Sequence, residues 1–327
     1  MRRSVLVGIV GPTASGKSAL ALRLAEAFDG EIVGCDALQV YRGADIGTGK
    51  LTVSEQRGIP HHLLDVADPS REFSAASYIR LAAPIVEDID RRGKLPLVVG
   101  GTGLYLRALL RGLFDGPGRD PKLRRRIAAV ADRRGSRFVH RMLVRVDPAS
   151  AKRIHQNDTV RAVRALEVSL LAKRPMSGMM RERRTPLVGF RIVLMGITPA
   201  RRELARRIEA RIDEMFDGGL VDEVLGLVRE FGPDAPVLKG IGYRQVAQYL
   251  AGQCDLERAR YLTLKATLQY AKRQMTWFRG EEGVVWFAGN GDDPEVAEAI
   301  EQYLRSRGTT RPIEAPRPPR APQPIIY

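Results

Sequence analysis

The sequence is poor in cysteine and in long apolar runs. Its 327 residues include two cysteines, Cys35 and Cys254, which excludes a disulfide framework and a multi-cysteine zinc site. No apolar run approaches the ~18 residues of a membrane-spanning helix, and Gly11 and Pro12 interrupt the first run before it reaches signal-peptide length. We therefore expect a protein of the reducing cytoplasm with no membrane partner. We also expect a monomer, because no apolar seam stands out.

What the chain does contain is enough apolar residues for a core and a local excess of arginine. Hydrophobic residues make up 44% of the sequence, and the length allows roughly two domains. The net charge is +15, and residues 119–184 carry +13 of it, with 19 Lys or Arg against 6 Asp or Glu. A codon bias would spread arginines evenly, whereas a phosphate-binding surface needs them together. The charge favours a nucleic-acid partner over a solvated helical face.

Apolar runs and helical spacings alternate on both sides of this basic segment. The runs that predict buried strands are 4–10, 31–35, 94–99 and 190–197. The spacings that predict helices are 17–28, 78–91, 104–110, 200–214 and 257–278. Strands that alternate with helices predict an α/β fold with a parallel sheet.

The basic segment interrupts the alternation. Gly116-Pro117-Gly118 is a breaker, and the Arg-rich sequence after it has helical spacing without strands, until the polar stretch 175–186 closes it. We therefore predict a core built from 1–115 and 187–308 and an inserted basic helical domain at 116–186. The Pro- and Arg-rich tail at 309–327 is expected to be disordered.

Residues 11–18, Gly-Pro-Thr-Ala-Ser-Gly-Lys-Ser, match the phosphate-binding P-loop at every fixed position, after a predicted strand and before a predicted helix. The glycines let backbone N–H groups point at phosphate oxygens, and the helix N-terminus adds a positive partial charge. Lys17 supplies a full charge, and the Ser18 hydroxyl can hold Mg²⁺. The loop predicts a di- or triphosphate ligand. The contacts expected from it are Gly11, Thr13, Ala14, Ser15, Gly16, Lys17 and Ser18.

Two further features leave alternatives open. A P-loop kinase usually carries an Asp after a second core strand, but the run 94–99 ends in Gly100-Gly101-Thr102. Asp36 follows another strand, at the edge where α/β sheets place ligands, and either accepts a proton from a nucleophile or caps a turn. Arg207 and Arg211 lie four apart on a predicted helix, and either face the phosphates or form a solvated basic face.

Several motifs follow one another along the chain. They are the P-loop, Asp-Ala-Leu-Gln-Val-Tyr at 36–41, Asp-Ile-Gly-Thr-Gly-Lys at 45–50, Pro-His-His-Leu-Leu-Asp at 60–65, Gly-Gly-Thr-Gly-Leu-Tyr at 100–105, Arg-Ala-Leu-Glu at 164–167, Gly-Ile-Gly-Tyr-Arg-Gln at 240–245 and Lys-Arg-Gln-Met-Thr-Trp at 272–277. Their order and spacing resemble those of the bacterial tRNA dimethylallyltransferases over about residues 4–287. A series of motifs is far more specific than a P-loop alone.

The resemblance implies transfer of a dimethylallyl group from dimethylallyl diphosphate to N6 of the adenosine at tRNA position 37, next to the anticodon. It implies that the P-loop holds the diphosphate leaving group with Mg²⁺. Of the two arginines on the helix 200–214, we expect Arg211 to join the diphosphate contacts. By the same resemblance Asp36 is the general base, and Lys17 and Thr102 belong to the catalytic group. An adenine amine must leave the base stack to reach such a pocket.

The resemblance also implies a set of contacts with the anticodon stem-loop. In the predicted core they are Asp36, Ala37, Leu38, Gln39, Thr102, Lys239, Arg244, Lys272 and Arg273. In the insertion they are Arg124, Val160, Arg161 and Arg164. Ala37 stands where relatives commonly have Ser, and Val160 where they often have Gln, so a polar contact is missing at each position.

Helical spacing assigns faces to two of the predicted helices. In the insertion, Arg161 and Arg164 share one face, and Val163, Leu166 and Leu170 share the opposite one. On the helix 257–278, an apolar stripe is expected to be core, and a polar stripe to face tRNA or water. The apolar stripe is Tyr261, Leu264, Leu268, Ala271 and Met275, and the polar one is Lys265, Gln269, Lys272 and Thr276.

Three other functions remain as alternatives. An adenylate isopentenyltransferase shares the P-loop and the base but has no need of the basic insertion. A P-loop small-molecule kinase is disfavoured by Gly100-Gly101-Thr102. A non-catalytic RNA-binding protein is disfavoured by the intact Lys17, Ser18 and Asp36.

Overall fold

A computed structural model describes residues 4–182 and 186–309. The chain divides into two compact units. The core unit is built from residues up to Phe73, from Pro84–Gly103 and from Gly189 onward, and the helical unit from Ser74–Ala83 and Leu104–Val188. The predicted disordered tail lies outside the described residues except for Thr309.

The core unit contains one parallel sheet. Its strands are β1 (Ser4–Val10), β2 (Gly30–Gly34), β3 (His61–His62), β4 (Leu95–Gly100), β5 (Phe190–Thr198) and β6 (Val284–Ala288), in the order β3-β2-β4-β1-β5-β6. The register pairs Ile9 of β1 with Val99 of β4 and with Met195 of β5. The α/β fold with a parallel sheet is therefore confirmed. Because β2, β4 and β1 are neighbours and parallel, the loops that follow them meet at one edge.

Thirteen helices are present among the described residues. They are α1 (Lys17–Phe28), α2 (Ala75–Arg91), α3 (Gly103–Arg111), α4 (Pro121–Arg134), α5 (Ser136–Val146), α6 (Pro148–Arg153), α7 (Thr159–Ala172), α8 (Met176–Arg181), α9 (Arg201–Asp217), α10 (Leu220–Phe231), α11 (Tyr243–Leu250), α12 (Leu256–Arg279) and α13 (Pro294–Ser306), with a 3₁₀ turn at Pro236–Lys239. None of these helices is both long and apolar enough to cross a membrane.

Two apolar clusters hold the core unit together. The first joins the sheet to α1 and α13, where Leu20, Leu24 and Ile300 are fully buried. The second joins the segment after β2 to α9, α10 and α11, with Val40 and Tyr243 at its centre. The first cluster anchors the helix that follows the P-loop, and the second anchors the segment that follows Asp36.

The helical unit contains α4 to α8 and no strand among its described residues. Its centre is apolar, and Val139, Leu143 and Leu166 are fully buried there. The unit begins before the insertion predicted at 116–186. The rings of Tyr78 and Tyr105 stack at 4.7 Å within it, and the start of α2 and nearly all of α3 belong to it.

The structure corrects two predicted apolar faces. On α7, Val163 and Leu166 are buried as predicted, but Leu170 lies in the last turn and is 45% exposed. On α12, Tyr261 and Leu268 were predicted to be core and are exposed, although Ala271 is buried. The buried line of α12 is formed instead by Ala259, Thr263, Ala271, Gln274 and Phe278. Small and amide side chains on this face pack against α9 and α11. A prediction based only on apolar residues at helical spacing does not identify such a face.

Candidate active site

The P-loop lies between the central strand β1 and α1. Ala14 and Gly16 have φ values of 59° and 79°, so the backbone turns repeatedly and its N–H groups point into a common space. Ala14 carries a Cβ in this left-handed conformation, which costs about 1 kcal/mol. A Cβ at Gly11 would lie 2.9 Å from the Ile197 carbonyl oxygen of β5. The loop is therefore held tightly in a conformation that local preference disfavours.

Three neighbouring segments hold the P-loop backbone. The Thr13 N–H donates to Gln274 Oε1 of α12 at 2.8 Å, and the Ser15 carbonyl accepts from the Gly291 N–H at 2.8 Å. Arg207 of α9 donates through Nε to the Ala14 carbonyl at 2.9 Å. These contacts come from residues distant in the sequence, and they compensate for the strain at Ala14.

Two partly buried cations, Lys17 and Arg211, stand beside the P-loop. Burial and the positive charge of Arg211 lower the pKa of Lys17 to about 7, and the Asp36 carboxylate opposes this change. Burial likewise lowers the pKa of Arg211. Arg211 donates to the Thr48 carbonyl at 3.0 Å, and Lys17 Nζ to the Pro12 carbonyl at 2.5 Å. Two partly buried cations that repel each other favour an anion beside them.

Arg207 and Arg211 lie on the same helix but have different partners. Its guanidinium pairs with the Asp292 carboxylate at 2.8 Å while its Nε bonds the P-loop. It lines the same cavity as Arg211 but already has an acidic partner. The sequence left two alternatives for Arg207, a phosphate contact and a solvated basic face. The structure shows a third arrangement, in which Arg207 bonds the P-loop backbone and its charge is paired with Asp292.

Asp36 lies two residues beyond the end of β2. Its Oδ1 accepts from the N–H groups of Leu38 at 2.8 Å and Gln39 at 3.3 Å, so the carboxylate does cap a turn. Its other oxygen, Oδ2, makes no hydrogen bond within the part of the chain that the structure describes, and Asp36 lines the cavity. Asp36 therefore uses Oδ1 to cap the turn, and its Oδ2 can bond a ligand in the cavity.

Thr102 connects the loop after β4 to Asp36. Its Oγ1 accepts from the Ala37 N–H at 3.0 Å, and its own N–H donates to the Cys35 carbonyl at 3.1 Å. The two loops approach so closely that a Cβ at Gly100 would overlap the Cys35 backbone. This explains why glycine, rather than an acid, ends β4. The contact uses the backbone N–H of Ala37, so the absence of a serine hydroxyl at position 37 does not affect it.

These loops enclose a cavity of about 590 Å³. Of the residues predicted from the sequence, its walls include Thr13, Ala14, Ser15, Gly16, Lys17, Ser18, Asp36, Gln39 and Arg211. Gly11, Ala37, Leu38 and Thr102 belong to the same loops. The cavity therefore has the P-loop with Lys17 and Arg211 on one side and the carboxylate of Asp36 on another.

Three residues of the site were not predicted from the sequence. Tyr270 and Gln274, one turn apart on α12, line the cavity. Burial and the charge of Asp36 raise the pKa of Tyr270 to about 12, so its hydroxyl is neutral at physiological pH. Glu223 accepts from the N–H groups of residues 45, 46 and 47 at 2.9, 2.7 and 3.0 Å. Gln274 lies inside the motif at 272–277, whereas nothing in the sequence marks Glu223.

Glu223 stabilises the segment that carries Thr48. The Tyr243 hydroxyl also donates to it at 2.6 Å, and burial together with the Glu223 charge raises the Tyr243 pKa. Gln39 Nε2 donates to the Thr48 carbonyl at 3.2 Å, the same carbonyl that Arg211 contacts. Glu223 thus fixes the segment whose Thr48 carbonyl accepts hydrogen bonds from Gln39 and Arg211.

The four cations predicted to contact tRNA in the core unit are exposed. They are Lys239, Arg244, Lys272 and Arg273. Among the described residues, none of them lies within 4.0 Å of a carboxylate. Arg273 lies 5.8 Å above the ring of Tyr270. These charges are available to a polyanion, because no acidic side chain already neutralises them.

The predicted contacts of the helical unit differ from one another. Arg161 is 64% exposed and has only a 3.5 Å contact with Asp158, and Val160 is 81% exposed. Arg124 and Arg164 instead hold the fully buried Glu167, at 2.6 and 2.8 Å. These two arginines therefore compensate the charge of a buried carboxylate inside the unit, in addition to any contact with tRNA.

The model of the family described as IPP transferase matches residues 39–281. The chain belongs to the IPP transferase family. Among its relatives, the tRNA dimethylallyltransferase of Solibacter usitatus is 48% identical over 294 residues, which cover 90% of this chain and 95% of that protein. The tRNA dimethylallyltransferase of Koribacter versatilis is 45% identical, over 94% of this chain and 100% of that protein.

Solved structures of IPP transferases resemble the whole chain. A tRNA isopentenylpyrophosphate transferase from Bacillus halodurans has a TM-score of 0.69 at 37% identity, covering 94% of this chain and 98% of that one. A eukaryotic dimethylallyltransferase, captured acting on tRNA, has a TM-score of 0.76 at 28% identity, covering 96% of this chain and 82% of that one. The family resemblance drawn from the motifs is confirmed.

Proposed function

We propose that this protein transfers the dimethylallyl group of dimethylallyl diphosphate to N6 of the adenosine at tRNA position 37, next to the anticodon. The observation that carries the proposal is the pairing, in one cavity, of Lys17 and Arg211 at the P-loop with the carboxylate of Asp36. The cations suit a departing diphosphate, and the carboxylate suits an amine that loses a proton. The names of the relatives supply the allyl donor and the tRNA acceptor.

The chemistry divides between the two sides of the cavity. The C1–O bond of the donor breaks with its electron pair on the diphosphate, where the P-loop N–H groups, Lys17 and Arg211 stabilise the new charge. The N6–C1 bond forms, and Asp36 Oδ2 takes the N6 proton. Thr102 holds the Asp36 loop through the Ala37 N–H, and so fixes where the carboxylate lies. The walls of the cavity limit the water that could otherwise capture the allylic carbon.

A magnesium ion fits the donor set on the phosphate side. Mg²⁺ keeps several waters and binds few protein oxygens when a substrate supplies phosphates. Ser18 lines the cavity, and its hydroxyl has no hydrogen-bond partner among the described residues. No cluster of three or more His, Cys, Asp or Glu suited to a metal occurs in residues 4–182 and 186–309. Ser18 would therefore hold a Mg²⁺ carried mainly by the diphosphate, and the ion would neutralise leaving-group charge.

The tRNA is proposed to contact both units. In the core unit the exposed Lys239, Arg244, Lys272 and Arg273 carry uncompensated charge. In the helical unit Arg161 offers an exposed guanidinium, and the side chains of Arg124 and Arg164, although bonded to Glu167, stay 30% and 36% exposed. The target base leaves the stack and meets the segment from Asp36 to Gln39. We further propose that the protein works in the cytoplasm as a monomer.

The test is a transfer assay with one defined tRNA. Purified protein is incubated with Mg²⁺, dimethylallyl diphosphate and unmodified tRNA that carries adenosines at positions 36 and 37. The tRNA is digested, and the nucleosides are analysed by mass spectrometry. A dimethylallyl-sized gain on the adenosine at position 37 supports the proposal, and a matched tRNA with guanosine there controls for the site.

Two other results would point elsewhere. Modification of free AMP at a rate comparable to tRNA would indicate an adenylate isopentenyltransferase. Transfer of phosphate from ATP, without any allyl transfer, would indicate a kinase. Omitting Mg²⁺ in the presence of a chelator should abolish the wild-type reaction, and an unchanged rate would contradict the metal assignment.

A further inference from the structure

The side chain of Gln274 joins the two sides of the cavity. Its Oε1 accepts from the Thr13 N–H at 2.8 Å, and its Nε2 donates to the Gly101 carbonyl at 3.0 Å. Thr13 belongs to the P-loop after β1, and Gly101 directly precedes Thr102 after β4. A neutral amide is suited to this place, because it accepts at one atom and donates at another without adding charge.

The position of Gln274 is strongly constrained. The residue is 5% exposed on a helix of the core unit that packs against α9 and α11, and both polar atoms of its amide are used. On the opposite side, a Cβ at Gly101 would overlap the Gln274 amide nitrogen. The contact thus requires both a Gln on α12 and a glycine after β4. Hydrogen bonds in such a buried place are strong, and their loss is costly.

The two hydrogen bonds of Gln274 connect the loop that holds the leaving group to the loop that positions Asp36. The P-loop holds the leaving group, and the Gly101 loop continues into Thr102, which fixes the Asp36 segment. Tyr270, one turn earlier on α12, also contacts the Gly101 carbonyl, at 3.5 Å. No other described side chain bonds both the P-loop and the Gly101 loop. Gln274 is therefore the connection through which one loop can set the position of the other.

We propose that Gln274 is a positioning residue that sets the separation between the departing diphosphate and the acceptor amine, and thereby decides whether tRNA or water captures the allylic carbon. This inference rests on the proposed function. In transfer, the C1–O bond breaks, the N6–C1 bond forms and the N6 proton passes to Asp36. In the competing reaction the same C1–O bond breaks, a water oxygen bonds to C1 and its proton goes to solvent, which yields dimethylallyl alcohol and diphosphate.

The two reactions respond differently to a loosened cavity. Attack by N6 needs alignment, and a displacement on the order of 1 Å can cost about 100-fold in rate. Water is small and mobile, so its attack needs no such alignment. Loss of the Gln274 contacts should therefore lower transfer more than it lowers ionisation of the donor.

Three variants test this from both sides. Gln274→Glu keeps an acceptor for Thr13 but loses the donor to Gly101, Gln274→Met loses both at similar size, and Gly101→Ala displaces the amide from the other side. The readout is the ratio of dimethylallyl alcohol to dimethylallylated tRNA, measured with labelled donor. This ratio does not depend on the fraction of enzyme that is folded. We expect it to rise about tenfold or more.

The matched control is Gln245→Met. Gln245 is also a buried glutamine, 3% exposed, but its Oε1 accepts from the Gly242 N–H, a local contact outside the cavity. Its ratio should equal that of wild type. An unchanged ratio in the Gln274 and Gly101 variants, with an active wild type, overturns the proposal and leaves the proposed function standing. An equal rise in Gln245→Met also overturns it, and a wild type without tRNA alkylation overturns both.

Discussion

Arg211 and Lys17 lie partly buried together at the P-loop, and burial combined with the Arg211 charge lowers the Lys17 pKa to about 7. Such a pair is unfavourable by itself, because neither cation has a carboxylate bonded to it among the described residues. A bound diphosphate removes the conflict. Two neighbouring cations of this kind would favour a highly charged anion over a singly charged one.

The first prediction concerns the pH dependence of diphosphate binding. Lys17 is charged below pH 7 and neutral above it, and a bound anion raises its pKa. Affinity should therefore be highest near pH 6 and fall as the pH rises through 7, with proton uptake on binding. Calorimetry with inorganic diphosphate in buffers of different ionisation enthalpy measures both. Lys17→Met should bind weakly and show only the slope that arises from diphosphate itself. An identical slope in both proteins would contradict the shifted pKa.

The second prediction concerns Asp36. Asp36→Asn keeps an oxygen to accept from Leu38 and Gln39, so the turn should persist, but the base is lost. We expect kcat to fall roughly 10²- to 10⁴-fold with little change in tRNA affinity. Single-turnover transfer and filter binding separate the two quantities. Asp292→Asn, which alters the partner of Arg207, is the matched carboxylate control and should lose much less. Near-normal turnover by Asp36→Asn would remove the base assignment.

The third prediction separates tRNA contact from structural support in the helical unit. Arg161→Ala removes an exposed charge, so it should reduce the slope of log K against log salt by about 1 without changing the unfolding free energy. Arg164→Ala leaves the buried Glu167 with one arginine instead of two, and should cost about 1–3 kcal/mol of stability. Chemical denaturation and salt-dependent binding distinguish them. Equal behaviour of the two variants would show that burial of Glu167 has no such effect.

The fourth prediction concerns acid stability. Hydrogen bonds from Arg92, opposed by burial and helped by His62, lower the pKa of Glu31 from 4.5 to about 2. Its folded-state pKa is depressed, so the stabilisation is complete above about pH 4.5 and is lost as the pH falls toward 2. Glu31→Gln should be about 2–3 kcal/mol less stable than wild type at pH 7 and nearly equal at pH 2. Urea unfolding at several pH values checks this, with the exposed Glu298→Gln as control.

Local patterns in the sequence predicted a large part of the fold. The first strand and the first helix were predicted to the residue, because an unbroken apolar run and a P-loop delimit them. The short strands β3 and β6 and the helices α10, α11 and α13 were not predicted. A two-residue strand such as β3 has no period of its own, and exists because it pairs with β2.

The roles of individual charges were harder to predict. Arg161 and Arg164 are indistinguishable in a helical projection, yet one is exposed and the other holds Glu167. Arg207 and Arg211 likewise differ only in what faces them, since Asp292 neutralises the first. A sequence pattern reports spacing along one helix, and the partners on neighbouring elements decide which charges remain available.

The parts of the fold that depend on near neighbours in the chain are predictable from the sequence. The P-loop, the glycines after β4 and the alternation of strands and helices follow from backbone conformation and hydrophobic period, which are local properties. Tertiary structure alone decided that Gln274 meets Thr13 across 261 positions and that Glu223 holds the segment before Thr48. Such contacts arise when packed helices bring distant amides and carboxylates together, and no local pattern encodes that distance.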